Sequence, residues 1–158
     1  MALEIYPADK LWDLVTHGGL NLSTAELRVR LLSSSFAPTI TTGSDDVDYL
    51  MDTIWDTGGD DASDPSFNEV ATGNGYTTGG IQLANFSASG SIITFDDVTW
   101  TSLTKTFRWA VGVAIGTFGG YVDPLIFAIL PDATPADIIS NGSDWSILWN
   151  ESEGVFYR

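Results

Sequence analysis

The pattern of apolar and polar positions divides this chain into short extended segments. Leu27, Val29 and Leu31 alternate with Arg28 and Arg30, a period of two that predicts a strand with one dry and one wet face. Downstream, Phe107, Trp109, Val111, Val113 and Ile115 alternate with Arg108, Ala110, Gly112 and Ala114. This spacing predicts one long strand with large side chains toward a core and small ones on the face where another element packs closely. Residues 125–130 are continuously apolar, as expected of a strand buried on both faces. Trp145, Ile147 and Trp149 alternate in a further strand, and Val155, Phe156 and Tyr157 form a last short one. The segments 81–86, 91–95 and 98–100 are short and are separated by Ala88-Ser89-Gly90 and Asp96-Asp97, turn chemistries that predict a meander.

Helical periodicity is confined to the first half. Residues 6–17 read as a short helix: Pro7 suits a first turn, Asp9 suits the positive end of the dipole, Leu11, Trp12 and Val15 share a face, and Gly18-Gly19 stop it. In the second, Ser44 is a natural N-cap, Asp45, Asp46 and Asp48 occupy the first turn, and Val47, Leu50, Met51, Ile54 and Trp55 recur at helical spacing before Gly58-Gly59. Pro131, Pro135 and Asn141-Gly142 mark a loop with a helical turn at residues 136–140. The expected fold is mainly β, a single-domain antiparallel β-sandwich or jelly-roll-like fold of about seven to nine strands with one or two short helices. One domain spans residues 1–158, with the helices and an acidic loop in residues 1–67 and a strand-rich core in 68–158.

Composition narrows the function. With 44% hydrophobic residues and six tryptophans, the chain packs as a globule. It has no cysteine, which excludes disulfides, thiolate metal sites and cysteine nucleophiles. The net charge is −15, and Lys10, Arg28, Arg30, Lys105, Arg108 and Arg158 are its six cations. Such a balance argues against nucleic acid and against an anionic membrane surface, both of which need clustered Lys and Arg. It favours solubility at high local concentration and a basic protein surface as partner. The start Met-Ala-Leu-Glu lacks the basic and apolar regions of a signal peptide, so the expected place of synthesis and folding is a cytoplasm. The sequons at Asn21, Asn85, Asn141 and Asn150 then read as chance products of a polar composition.

Candidate chemistry is sparse. The one histidine, His17, falls at the predicted end of the first helix, where capping suits it better than catalysis. Asp56, Asp60, Asp61 and Asp64 lie in an acidic stretch without the offsets of a calcium loop, so a solvated loop is expected. Asp96 and Asp97, an apparent carboxylate pair, are sequence neighbours in a turn rather than two acids facing one bond. No catalytic, cofactor-binding or metal-binding residue is predicted, and the chain is read as a non-enzyme.

The most distinctive stretch is 68–80, in which Gly73, Gly75, Gly79 and Gly80 surround Tyr76. Four glycines imply sharp turns and a close approach to another surface. The dinucleotide fingerprint is missed, because Thr78 stands where its third glycine belongs and a strand follows. The stretch reads first as a structural hinge between the two halves, with Tyr76 anchoring it either inward on the core or outward on a neighbour. Asn74, Gly75, Tyr76, Arg28 and Arg30 are the candidate protein contacts; for the two arginines, pairing with nearby carboxylates outweighs an anion-binding role.

Three ordered blocks carry a family resemblance: residues 27–38, ending in Ser33-Ser34-Ser35 and Pro38; residues 68–80 with Leu83-Ala84-Asn85; and residues 95–100 followed by 107–111. Together they resemble a family of small virion structural proteins of tailed bacteriophages, over roughly two-thirds of the chain in the right order. Two segments depart from it: the connection around residues 47–64 is longer than the family's, and residues 131–143 are fuller. The resemblance implies a capsid decoration or cement protein on the outer surface of the virion, made in the host cytoplasm. Its expected partner is the major capsid protein, with self-association, as a homotrimer, at symmetry axes. Two further readings are a receptor- or glycan-binding module of a tail fibre or baseplate, with Tyr76, Trp100, Tyr121 and Trp145 stacking on sugars, and a structural tail or neck component.

Overall fold

The computed structural model describes residues 4–8, 11–38, 40–42, 49–51, 62, 67–89, 92–131 and 136–149. In chain order, β1 is Glu4–Pro7, α1 is Leu11–Thr16, β2 is Leu27–Leu32, β3 is Ile40–Thr42 and β4 is Tyr49–Met51. Then follow β5 (Ile81–Gln82), β6 (Ser87–Ser89), β7 (Ile92–Thr94), β8 (Val98–Leu103) and β9 (Thr106–Phe107). The last third holds β10 (Trp109–Ala114), β11 (Thr117–Phe118), β12 (Tyr121–Val122), β13 (Leu125–Leu130), β14 (Ile138–Ile139) and β15 (Ser143–Ile147). The fold is mainly β, with several antiparallel sheets and, among the described residues, one short helix in a sandwich-like domain.

The principal sheet has five strands in the order β1-β13-β10-β2-β5. Its centre follows from composition: every residue of β10 and β13 is buried, so these strands are apolar on both faces and lie inside. Gly112 faces Phe127 across the β10–β13 pair, and the Phe127 ring fills the space a Cβ would need, which is the close packing expected of the small-residue side. β2 buries Leu27, Val29 and Leu31 and leaves Arg28 and Arg30 half-buried on the other face, as its alternation predicts.

Among the described residues, three aromatic clusters tie strands and loops together, two of them reaching this sheet through Phe127 and Trp109. Phe127, Trp149, Phe95 and Phe86 form a run of edge-to-face contacts with centroids 5.8–6.5 Å apart, linking β13 to the β6–β7 hairpin. Trp145 packs between Trp100 and Phe107 at 5.3 and 4.8 Å, and Phe36 between Phe67 and Trp109 at 6.4 and 5.9 Å. Each such pair adds about 0.5–1.5 kcal/mol beyond its buried area. Trp149 is also fixed by two hydrogen bonds from its backbone N and Nε1 to Asp97 and Asp96, at 3.0 and 2.9 Å, so the Asp96-Asp97 turn is a structural anchor.

Several expectations are corrected. Residues 6–8 are extended rather than helical: Pro7 pairs with Phe127, and the Ala8 amide continues the ladder to Ile126 at 3.0 Å. Pro7 is tolerated because β1 is an edge strand, where a missing donor breaks no second ladder. The helix is therefore only Leu11–Thr16, and it buries Leu11 and Leu14 while Trp12 is 39% exposed. Of the second predicted helix, residues 49–51 form β4, antiparallel to β3; its other residues, the acidic loop apart from Ala62, and the final strand at 155–157 lie outside the described residues. The expected meander is not formed: β5 pairs with β2, β6 with β7, and β8 with β15. The long strand at 107–115 breaks at Arg108, since Phe107 pairs with Ile138 and Trp109 with Leu32. The same pairing makes residues 138–139 a strand instead of a helical turn. Fifteen strands are present among the described residues, more than expected, because ribbons of two or three residues occupy stretches that read as turns.

Candidate functional site

The glycine-rich stretch is a pair of turns pressed between β2 and β8. Gly73 and Tyr76 exchange backbone hydrogen bonds of 2.8 and 3.1 Å, closing a two-residue hairpin whose central residues, Asn74 and Gly75, have φ of +54° and +81°. Positive φ at both central positions is the signature of a type I′ turn, which Asn-Gly satisfies with least strain. A second turn follows, with Gly80 N donating to Thr77 O at 3.0 Å and Gly79 at φ +98°. Glycine at that place is what a type II turn requires.

Two glycines mark where the loop touches the sheets. A Cβ on Gly75 would stand 2.7 Å from the carbonyl oxygens of both Thr101 and Ser102 in β8, and one on Gly80 would overlap the Val29 carbonyl in β2. Ser102 itself has φ +48°, at an irregularity opposite Asp144, whose Oδ1 accepts its amide at 2.9 Å. Thr104 N donates to Asn74 O at 2.9 Å and Lys105 Nζ to Ala71 O at 2.6 Å, which fastens the outer rim. The expected hinge is thus a fixed bridge between two sheets.

Its lock is Glu69. One carboxylate oxygen accepts from the Tyr76 hydroxyl and from the Gly79 amide, both at 2.6 Å, and the other accepts from Arg30 Nη1 at 3.4 Å. The Tyr76 oxygen in turn accepts the amide of Leu31 at 3.1 Å, so one phenol satisfies a strand donor and a carboxylate together. Arg30 also stands 3.8 Å from Asp123 and 5.8 Å above the Phe67 ring, and its Nε has no hydrogen-bond partner among the described residues. Both Arg30 and Glu69 side chains are only 11% exposed. Burial pushes the Tyr76 hydroxyl far above its ordinary value, with the hydrogen bond to Glu69 adding to the effect and the Leu31 bond opposing it.

Of the five candidate contacts, Tyr76 is turned inward and 2% exposed, so its ring anchors the core and is not offered to a neighbour. Arg28 pairs with Glu26 at 2.6 Å and Arg30 with Glu69, so both arginines are engaged within the chain. Asn74 and Gly75 remain on the surface, and with residues 71–73, 77 and 78 they make an exposed rim of small polar groups on a rigid base. Its shape is preset, so a partner that binds it need not pay for ordering a loop. The Asn-Gly turn was available in the sequence as a hairpin signal, whereas Glu69 as the lock, and Asp123 beside Arg30, depend on pairings that span the chain.

The other singled-out groups disperse. His17 lies exposed beyond α1, with Nδ1 3.1 Å from Asp13. Trp100 is 3% exposed, and Trp145 and Tyr121 are half-buried, which leaves little aromatic face for a sugar. Among the described residues, no three His, Cys, Asp or Glu side chains gather as a metal site would require. Among the described residues, no helix is long and apolar enough to cross a membrane. No protein-family model, curated protein or solved structure matches this chain.

Proposed function

We propose that this chain is a structural protein of a tailed-phage virion, a decoration or cement protein that binds the assembled major capsid protein on its outer surface and does no chemistry. The observation that carries this reading is the rim at 71–78: exposed, small and polar, yet held by Glu69, Tyr76 and the two glycine contacts. A cement protein needs a surface that stays in shape while it holds neighbouring subunits, and a preformed loop on a cross-braced β frame supplies it. The resemblance of residues 27–38, 68–85 and 95–111 to small virion proteins supports the setting. The high negative charge suits attachment to a basic patch and keeps many copies apart in solution before assembly.

The glycan-binding alternative is less favoured, because of the four rings named for stacking Tyr76 and Trp100 are packed inward and Tyr121 and Trp145 are half-buried. Mixing the purified protein with expanded capsids of its phage tests the proposal. Saturable binding that raises the capsid melting temperature is expected. Binding to tail structures or host surface glycans, with none to capsids, would replace it.

A further inference from the structure

The sequence contains two Asn-Gly pairs, Asn74-Gly75 and Asn141-Gly142, and the fold treats them in opposite ways. In both, the residue after asparagine has no side chain to shield its backbone nitrogen, the condition under which that nitrogen attacks the asparagine side-chain carbon. Asn74 and Gly75 are exposed at the tip of the hairpin closed by Gly73 and Tyr76. Neither the Gly75 amide nor the Asn74 side chain makes a hydrogen bond among the described residues. The Asn74 carbonyl, by contrast, accepts the Thr104 amide at 2.9 Å, which draws electron density from the adjoining Gly75 nitrogen and eases the loss of its proton. At Asn141 the nucleophile itself is held: Gly142 N donates to Leu103 O at 2.7 Å. The same oxygen accepts Ser140 Oγ at 2.7 Å, and Leu103 is fully buried, so water does not readily take over either bond.

We propose that Asn74 is a site of spontaneous deamidation through a succinimide, and that the fold protects Asn141 from the same reaction. Attack requires rotation about the Asn74 Cα–C bond, which lifts its carbonyl from Thr104; Thr104 is exposed, so water receives the freed amide. Gly75 N gives its proton to solvent base and bonds to Asn74 Cγ. The Cγ–Nδ2 bond then breaks, and the nitrogen leaves as ammonia after taking a proton from water. A second water opens the ring, at Cγ to give aspartate or at the main-chain carbonyl carbon to give isoaspartate, with no change of oxidation state. Aspartate adds one negative charge to a chain already at −15 and keeps the turn, because Asp tolerates a φ of +54° as Asn does. Isoaspartate routes the main chain through the former side chain and lengthens the two-residue turn, so Gly73 and Tyr76 no longer exchange both of their bonds. The rim thus has a chemical lifetime separate from that of the fold, whatever partner it meets.

Peptide-mapping mass spectrometry of the folded full chain, held at mildly alkaline pH and sampled over days, tests this, with the urea-unfolded chain as reference. Unfolded, the two sites should convert from amide to acid at similar rates. Folded, Asn74 should convert about tenfold faster than Asn141, the rate equivalent of about 1.4 kcal/mol and near the upper end for one backbone hydrogen bond. Labelling by an isoaspartyl methyltransferase should mark the peptide that carries Asn74, and in Asn74→Gly, which keeps the turn, the signal should fall to the Asn141 background. The proposal is overturned if Asn141 converts as fast as Asn74 in the folded protein. It is equally overturned if Asn74 stays an amide in the folded protein over the time that consumes it in the unfolded chain.

Discussion

Tyr76 donates its hydroxyl proton to Glu69 over 2.6 Å while its oxygen accepts the amide of Leu31 at 3.1 Å. The ring is in the core, and the oxygen stands where the glycine-rich loop meets the wet face of β2. This one atom therefore serves loop and sheet at once, beside the Leu32–Glu69 bridge and the Val70 amide on Leu31 O. Changing that atom affects the fold first and any attachment only through the fold.

Tyr76→Phe keeps the ring and deletes the hydroxyl. The Leu31 amide loses its acceptor and Glu69 one donor, which costs about 1–3 kcal/mol in urea denaturation. Tyr76→Ala also opens a cavity and should cost about 3–5 kcal/mol. A Tyr76→Phe protein as stable as the parent would mean that the hydroxyl is not part of the lock.

The same oxygen makes stability depend on high pH. The folded-state hydroxyl is raised above its ordinary value near 10, mainly by burial, so the unfolded chain loses its proton first as pH rises. The folded state then binds more protons than the unfolded one, and stability falls with pH. This contribution is intact below about pH 10 and declines by up to about 1.4 kcal/mol per pH unit above it. Comparing parent and Tyr76→Phe between pH 8.5 and 11 isolates the effect, because other groups titrate alike in both. Parallel curves would show that Tyr76 does not ionise on unfolding in this range.

How much of this could be read from the chain depends on the range of the interaction. Alternation placed β2 and β13 with their burial correctly, because a two-residue period or an apolar run is a local property of a strand. Residues 6–8 misled because Pro7 suits a helix start and an edge strand equally, and only Phe127 and Ile126 decide between them. The strand at 107–115 broke because Phe107 and Trp109 have different partners, Ile138 and Leu32, which no local pattern reports. In the site, the four glycines announced turns, and Asn74-Gly75 encoded the turn type. The inward direction of Tyr76 depended on Leu31, 45 residues away, and could not be read from the loop alone.

The loop glycines are not equivalent. Gly73, at φ +116°, has open space where a Cβ would go, so Gly73→Ala should cost only the backbone strain, about 1–3 kcal/mol. Gly80, at φ +68°, has the Val29 carbonyl there, and Val29 cannot retreat without leaving Ile81 and Gly112. Gly80→Ala should therefore add the loss of the β2–β5 pairing and cost more than about 4 kcal/mol, read as thermal melting or failure to fold. Equal melting temperatures for the two variants would contradict the close packing of the loop on β2.

Asn74 offers a way to separate attachment from folding. Its φ of +54° is one that Asn tolerates and glycine prefers, and its backbone oxygen, not its side chain, receives the Thr104 amide. Asn74→Gly therefore keeps the turn and that hydrogen bond while removing the exposed side chain at the tip of the rim. Its stability should change by less than about 1 kcal/mol, chiefly through the greater freedom of glycine in the unfolded chain. Asn74→Val, with a branched Cβ at positive φ, should instead strain the turn and lower stability by about 1–3 kcal/mol. If the rim contacts the capsid, Asn74→Gly weakens binding while the isolated protein melts almost as before. Undiminished capsid binding by Asn74→Gly would move the contact away from the tip of the type I′ turn.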